Sequence, residues 1–352
     1  MNKIKNYKKI KIGIILTLLV VLTSCSNIQE SNEIIKDNDN KELNEAEESK
    51  NLRKVVFGLD LRTNNNHTGI YVADSLGYYE ELGIDLDILQ STEGDSIPVV
   101  STGYADFGIS SQDNIAQVIS GDSKLRIVAV ASITKHNNSG ILSRKGEGIH
   151  TPKGLEGKRY ETWDKPIEHE MLRTVMERDG GDFSKLKRIP FTPIDNLKAL
   201  QTNQVDAIWV DYGWVGLQGE VEGFETDYFK FKDLDPIFDF YSPLIITNKE
   251  LIKSDPKLVK DFMTATKRGY EYAIENPKEA ADILLGADNT LDKEFIYASQ
   301  EWISKEYKKD LEQWGTIDPN RWELFFQWLQ NKEIVLQDLD LQSGFTNEFI
   351  ED

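Results

Sequence analysis

The chain has 352 residues, 39% hydrophobic and 10% aromatic, enough for one large or two medium cores. Its formal net charge of −19 excludes nucleic acid as a partner, because phosphates demand a basic face. The single cysteine, Cys25, excludes internal disulfides and any cysteine-based metal cage.

Lysines at the N-terminus precede an apolar run from Ile12 to Leu22. That run is shorter than the ~20 residues that span a bilayer and has the layout of a secretory signal. Leu22-Thr23-Ser24-Cys25 closes it and resembles a bacterial lipobox, whose cysteine thiol takes a diacylglyceryl group and becomes the new N-terminus. A plain signal peptide with an incidental cysteine, or an uncleaved anchor, is the competing reading. Two acyl chains anchor stably where one is marginal. Residues 1–24 are thus expected to be a signal peptide, and 25–52 a lipidated Cys25 followed by a disordered acidic tether. The protein would then be held on the extracytoplasmic face of the cell membrane. Losing the first 24 residues removes five lysines and no acid, which moves the net charge to −24.

From Arg53 the pattern alternates strands with helices. Val55 to Leu61 reads as a strand, and the Thr/Asn-rich stretch that follows favours turns and N-caps. Gly69 to Leu82 reads as a helix closed near Gly83. Ile84 to Leu89 is a second strand, with Gln90, Ser91, Thr92, Glu93 and Gly94 as its exit loop. Ser96 to Ser101 opens a helix, Ala105 to Ile109 is a strand, Ile115 to Ser120 a helix and Leu125 to Ser132 a strong β run; Ile141 to Ser143 follows a polar loop. Beyond Thr151 come a helical turn at Pro152 to Gly157, a strand at Arg159 to Thr162, and the loop Trp163-Asp164-Lys165-Pro166. Pro166 suits the first position of a helix that ends at Gly180-Gly181. Lys187 to Phe191 is a strand, Asp195 to Thr202 a helix, Ala207 to Val210 a buried strand, and Ile237 to Thr247 another β run. The tail reads as helical at Pro256 to Asn276, Pro277 to Leu285, Phe295 to Tyr307 and after Asp318-Pro319. This alternation predicts parallel sheets covered on both faces.

Two corners one hundred residues apart share a layout. Ser101-Thr102-Gly103-Tyr104-Ala105-Asp106-Phe107-Gly108-Ile109 and Gln201-Thr202-Asn203-Gln204-Val205-Asp206-Ala207-Ile208-Trp209 each run from helix end through a turn and an Asp into a buried strand. Any helix-turn-strand corner can look this way; the sharper reading is two α/β lobes of like topology. The loops leaving these strands, Ser110-Ser111-Gln112-Asp113 and Asp211-Tyr212-Gly213-Trp214, would then face each other across a cleft. The predicted division places residues 53–146 and 240–352 in lobe one and 147–239 in lobe two, with crossings near 143–150 and 235–243.

The lipobox, the phrase Asn66-His67-Thr68-Gly69-Ile70-Tyr71, the phrase Gly77-Tyr78-Tyr79-Glu80-Glu81-Leu82-Gly83-Ile84, the corner from Gly103 to Ile109, and Trp163-Asp164-Lys165-Pro166-Ile167-Glu168 together resemble the substrate-binding lipoproteins of ABC importers. Within them the chain is similar to the branch that binds thiamin-pyrimidine precursors such as formylaminopyrimidine, a branch related to riboflavin binders and to yeast pyrimidine synthases. The resemblance spans roughly residues 53 to 330. It implies a two-lobed type II periplasmic-binding-protein fold, α/β, with two doubly wound sheets, a cleft between them and a helical C-terminal tail. In that branch the first loop reads Asp-Trp-Thr-Pro-Asn-Thr-Asn-His-Thr-Gly-Leu-Tyr. Here Asp60, Asn64, Asn66, His67, Thr68, Gly69 and Tyr71 keep the pattern, while Leu61 replaces Trp and Thr63 replaces Pro.

By this resemblance Asn64 would hydrogen-bond a heterocycle edge and Tyr71 would stack on its face. Trp209, Asp211, Tyr212 and Trp214 would form the opposing wall, with Trp163, Gln90 and Ser111 as further contacts. For Tyr71 and Trp209 core packing competes with ligand contact, for Asn64 a turn role, for Trp163 packing under Pro166. His67 is more often a structural hydrogen-bonder in such a loop.

The function expected is an extracytoplasmic binding protein for a small flat heterocycle, a monomer that delivers its ligand to an ABC permease and its ATPase. A thiamin pyrimidine precursor ranks first, riboflavin or another aromatic heterocycle second, and nitrate or a sulfonate third, because the loops offer aromatics and acids where an anion would need Arg. Arg62 is the residue that weakens this last point. The four histidines, His67, His136, His150 and His169, show no metal spacing, and no phosphate loop or nucleophile elbow is present. No cofactor, metal or catalysis is therefore expected. The yeast-like synthases carry a cysteine-rich segment, and no cysteine follows Cys25. A ligand sensor and a pyrimidine-synthase-like enzyme are the readings from other classes.

Overall fold

The structure, a computed structural model, describes residues 52–90, 95–120, 125–191, 196–309 and 313–351. The expected signal peptide, Cys25, the tether up to residue 51, the loop from Ser91 to Gly94, and Asp195 lie outside the described residues. The strands are β1 (Arg53–Gly58), β2 (Ile84–Leu89), β3 (Phe107–Ser110), β4 (Ile127–Ser132), β5 (Ser139–Arg144), β6 (Arg159–Thr162), β7 (Lys187–Pro190), β8 (Ala207–Asp211), β9 (Thr226–Lys230) and β10 (Leu244–Asn248). The longer helices used below are α1 (Thr68–Ser75), α2 (Gln112–Ile119), α3 (Pro166–Arg178), α4 (Pro256–Glu275), α5 (Pro277–Ala287), α6 (Lys293–Lys308) and α7 (Pro319–Asn331).

The strands form two five-stranded sheets, in the orders β2-β1-β3-β10-β4 and β7-β6-β8-β5-β9. Position by position the orders match, so β3 and β8 occupy equivalent places and each lobe is built on one plan. The shared corners act alike. The Asp106 carboxylate accepts the Val56 N–H of β1 at 2.9 Å, and the Asp206 carboxylate accepts the Arg159 N–H of β6 at 2.8 Å. The turns before them both need a left-handed residue, supplied by Gly103 (φ 74°) and by Asn203 (φ 58°). Arg159 and Arg144 also bond the Asp206 carboxylate, which holds it well below the usual carboxylate range.

Three expectations need correction. The sheets are mixed, because β10 runs antiparallel to β3 and β4, and β5 antiparallel to β8 and β9. Each of these strands is the first after a crossing between lobes, where no helical crossover sets the direction. Moreover β5 belongs to the second sheet, its Ile141 lying opposite Trp209 and Phe229. The first crossing therefore falls in residues 133–138, upstream of 143–150, and lobe two begins at Ser139 instead of 147. The run predicted from Ile237 to Thr247 becomes a 3-10 turn at Pro236–Phe238, then a loop, with the strand starting only at Leu244. Pro236 and Pro243 have no N–H to give a ladder. Strand β9 was not foreseen.

The tail returns to lobe one. On α4, Phe262 stacks on Phe107 at 3.8 Å between ring centroids and on Tyr79 at 5.2 Å, all three fully buried. Burying one such ring contributes roughly 1.5–3 kcal/mol. On α7, Trp322, Phe325, Phe326 and Leu329 face inward as their spacing predicts, and Phe325 stacks on Phe240 of the second crossing at 4.4 Å.

Candidate functional site

Strands β1 and β3 of lobe one and β8 of lobe two end on one cleft of about 1040 Å³. Their exit loops line it, as the strand ends of open α/β sheets do.

The lobe-one wall is the loop after β1. Asn64 lines the cleft, yet its side chain is spent within the loop: Oδ1 accepts the Asn66 N–H at 2.9 Å and Nδ2 donates to the Arg62 carbonyl at 3.0 Å. It is a turn residue that shapes the wall. His67 is fully buried; its Nδ1 accepts the Asn64 N–H at 3.2 Å and its Nε2 meets the Asp60 carboxylate at 2.9 Å. The Nε2–H tautomer satisfies both contacts, so His67 holds Asp60 at the cleft. Tyr71 does not line the cleft. Its hydroxyl bonds Thr63 Oγ1 at 3.0 Å and receives Gln90 Nε2 at 3.2 Å, and Gln90 also donates to Thr63 at 2.7 Å. Tyr71 and Gln90 thus stand behind Thr63, which does reach the cleft, and the expected stacking by Tyr71 is corrected. At β3, Ser111 lines the cleft beside Asp113.

The lobe-two wall is aromatic and acidic. Trp163 lines the cleft and is 42% exposed, with its ring 6.0 Å from that of Trp209; Trp209 lines the cleft with one part and packs on Phe231 at 4.2 Å with another. The Trp163 loop is fixed from below by Glu168, which is 2% exposed and accepts from Tyr160 OH at 2.7 Å and Thr162 Oγ1 at 2.9 Å, and from the Trp163 and Lys165 N–H groups at 3.3 Å. Asp211 and Trp214 also line the cleft, and Trp214 meets Phe295 of α6 edge-on at 4.7 Å. Tyr212 does not line it. Its hydroxyl donates to Glu220, and its ring lies between Tyr228 and Trp302, away from the place in the wall expected of it. In an exit turn that winds as a π-helix from Tyr212 to Gly216, successive side chains diverge, which sends Tyr212 away while Trp214 faces in.

Sequence reading missed several wall residues. Asp60, Asp113, Glu168, Asp288 and Asp292 join Asp211 to give six carboxylates, against two cations, Arg62 and Lys165. Asp288 and Asp292 arrive from the α5–α6 connection, for which the sequence carries no signal of proximity. Burial holds the Asp211 carboxyl up at about 6, opposed by the Gly213 N–H that Oδ1 accepts at 2.9 Å. Asp95, beside Ser110, is likewise held at about 6, chiefly by burial, with Asp113 and Asp60 adding negative charge nearby. The cleft is a negative, aromatic-walled site suited to hydrogen-bond donors on a flat ring.

A family model described as NMT1/THI5 like matches residues 64–280, more than half of the chain. The chain belongs to the NMT1/THI5-like family. Its relatives include the formylaminopyrimidine-binding protein of Halalkalibacterium halodurans, 24% identical over 311 residues that cover 86% of this chain and 93% of that protein. They also include a 4-amino-5-hydroxymethyl-2-methylpyrimidine phosphate synthase of Legionella pneumophila, 26% identical over 311 residues, 85% of this chain and 93% of that one. Among solved structures, the periplasmic aliphatic sulphonate binding protein SsuA of Escherichia coli superposes with a TM-score of 0.64 at 14% identity, over 83% of this chain and 97% of that one. At that identity the likeness shows the fold, that of the periplasmic binding proteins. In this NMT1/THI5-like chain no helix among the described residues is long and apolar enough to cross a membrane, and no group of three or more His, Cys, Asp or Glu is placed to hold a metal ion.

Proposed function

We propose that this chain is an extracytoplasmic substrate-binding protein of an ABC importer, anchored through Cys25, whose ligand is a flat aminopyrimidine of the thiamin-precursor class. The observation that carries the reading is the composition of the cleft: six carboxylates against two cations, with Trp163 and Trp209 on one wall. Carboxylates accept from exocyclic amines, each such charge-assisted bond contributing roughly 1.5–3 kcal/mol, and a ring on Trp163 adds about 1 kcal/mol. An aliphatic sulfonate brings only acceptors and a negative charge, which this wall repels. The relative from Halalkalibacterium halodurans, named for binding formylaminopyrimidine, supports the same ligand class. A permease and its ATPase are the partners this role requires.

Isothermal titration with formylaminopyrimidine, riboflavin and an alkanesulfonate tests the proposal. Saturable binding of the aminopyrimidine at micromolar affinity or tighter, lost in Trp163→Ala, is the expected result. Binding of the sulfonate alone would overturn it. Mass analysis of the same mixtures covers the synthase reading that the Legionella pneumophila relative raises, and a new pyrimidine phosphate would replace transport with catalysis.

A further inference from the structure

The two crossings are not all that joins the lobes. On one side of the cleft the turn after β8 docks on the helices of lobe one, and the contact centres on a single carbonyl. Gly213 O accepts Nδ2 of Asn65 at 3.0 Å and Oγ of Ser299 at 2.8 Å, and Asn65 and Ser299 bond each other at 2.6 Å. Asn65 belongs to the lobe-one loop and Ser299 to α6; they are 2% and 0% exposed. Around this point Trp214 meets Phe295, and Tyr212 and Lys230 of lobe two lie against Trp302 of α6 at 5.7 and 6.0 Å. No larger residue fits at the centre: a Cβ on Gly213 would fall 2.6 Å from the Trp302 ring. The same peptide is tied to the cleft, because the Gly213 N–H donates to Asp211 Oδ1 at 2.9 Å.

We propose that the Gly213 carbonyl is a latch holding the lobes together on this side, with Asn65 and Ser299 as positioning residues, and that Asp211 couples occupancy of the cleft to it. Hinge motion of two-lobed proteins needs a contact that is made in one state and broken in the other. This contact is polar at its centre and flanked by an apolar cluster of Leu217, Leu284, Phe295 and Ile296, and it lies two residues from a cleft carboxylate. A group that engages Asp211 orders the Asp211–Gly213 turn and thereby favours the engaged latch. The coupling to Asp211 rests on the ligand reading above; the latch itself does not.

The test is fluorescence resonance energy transfer in the full chain, labelled at Lys145→Cys in lobe two and Lys257→Cys in lobe one, with Cys25→Ser to make labelling specific. Without any ligand, the unmodified latch should give one short-distance population. Asn65→Ala with Ser299→Ala, and separately Gly213→Ala, should move the majority of molecules to a longer distance. Adding Trp302→Ala to Gly213→Ala should restore the short distance, which separates a steric latch from misfolding. Asp211→Ala should lengthen the distance, while Asp211→Asn, which keeps the acceptor for Gly213, should not. If none of the latch variants changes the distribution, the latch is wrong; if they do and Asp211→Ala does not, the coupling is wrong. With formylaminopyrimidine as the probe, dissociation from the Asn65→Ala/Ser299→Ala variant should be roughly tenfold faster than from the parent. A probe that binds neither protein counts against the ligand reading and leaves the ligand-free distances to decide the latch.

Discussion

On the proposed reading, recognition and stability oppose each other at Asp211. Burial holds its carboxyl at about 6, above the ordinary 3.8, so the fold favours the protonated acid. A carboxyl raised by folding adds stability that is present below its unfolded value and is lost as pH rises through the folded value; here that window runs from about pH 4 to about pH 6. Asp211→Asn removes the buried charge and keeps the Gly213 contact. Its melting temperature should therefore exceed that of the parent by a few degrees at about pH 7.5, with the gap closing toward about pH 4, while aminopyrimidine affinity falls roughly tenfold. Calorimetry at the two pH values decides it, and a variant less stable than the parent at the higher pH would refute the account. The sequence shows that Asp211, Tyr212 and Trp214 share one turn, but a string of residue types carries no direction. The π-helical turn sends Tyr212 to the back of the wall, and a hydroxyl network draws Tyr71 and Gln90 behind Thr63. That strand exits border the cleft was legible, and which of their side chains face it was not.

At the scale of elements, the loop that carries Asp60 and Asn64 is positioned by the helix that follows it, and that helix is positioned by a crossing without side chains. Where α1 passes α4, a Cβ on Gly69 would fall 2.3 Å from the Tyr270 ring, and a Cβ on Gly269 would fall 2.0 Å from the Gly69 carbonyl. Tyr270 in turn donates to the Asn66 carbonyl at 2.6 Å, so the crossing fixes the loop directly. Gly69→Ala forces the helices apart and should cost about 1–3 kcal/mol in urea unfolding, as overpacking does, and should also weaken ligand binding through the loop. A variant as stable as the parent would show that the two helices can separate at no cost. Helix α1 is legible from its apolar spacing and Gly69 from the family pattern, whereas their partner lies two hundred residues on. Strand β5 teaches the same lesson from the other side: Ile141-Leu142-Ser143 is plainly a β run, but nothing local says which of two sheets it joins.

Across the whole molecule, one helix from the tail touches both crossings. Arg321 of α7 donates to Asp239 Oδ2 at 3.1 Å and to the Lys135 carbonyl, and its guanidinium lies 3.6 Å over the Tyr241 ring. Lys135 belongs to the first crossing, and Asp239 and Tyr241 to the second. Asp239 adds a further tie by accepting the Asn137 N–H at 2.8 Å. Arg321, 13% exposed, thus ties both segments on which the lobes would hinge to lobe one, beside the Phe240–Phe325 stack and the Tyr241 N–H that Gln112 Oε1 accepts at 3.0 Å. The two-lobe plan was legible in the matched corners at Asp106 and Asp206, but this tie was not, since neither crossing carries a pattern and Arg321 lies in an ordinary amphipathic helix. Arg321→Ala removes one of the partners of the Asp239 carboxylate, which keeps His136 Nδ1 at 2.6 Å and the Asn137 N–H at 2.8 Å, and should cost about 1–3 kcal/mol in urea unfolding. Arg321→Lys should recover less than half of that, because an ammonium neither forks across two acceptors nor stacks on Tyr241. Asp239→Ala combined with Arg321→Ala should cost clearly less than the two single losses added together, as residues of one network do. Strict additivity, or an Arg321→Ala chain within about 0.5 kcal/mol of the parent, would mean that the crossings hold their shape without the tail.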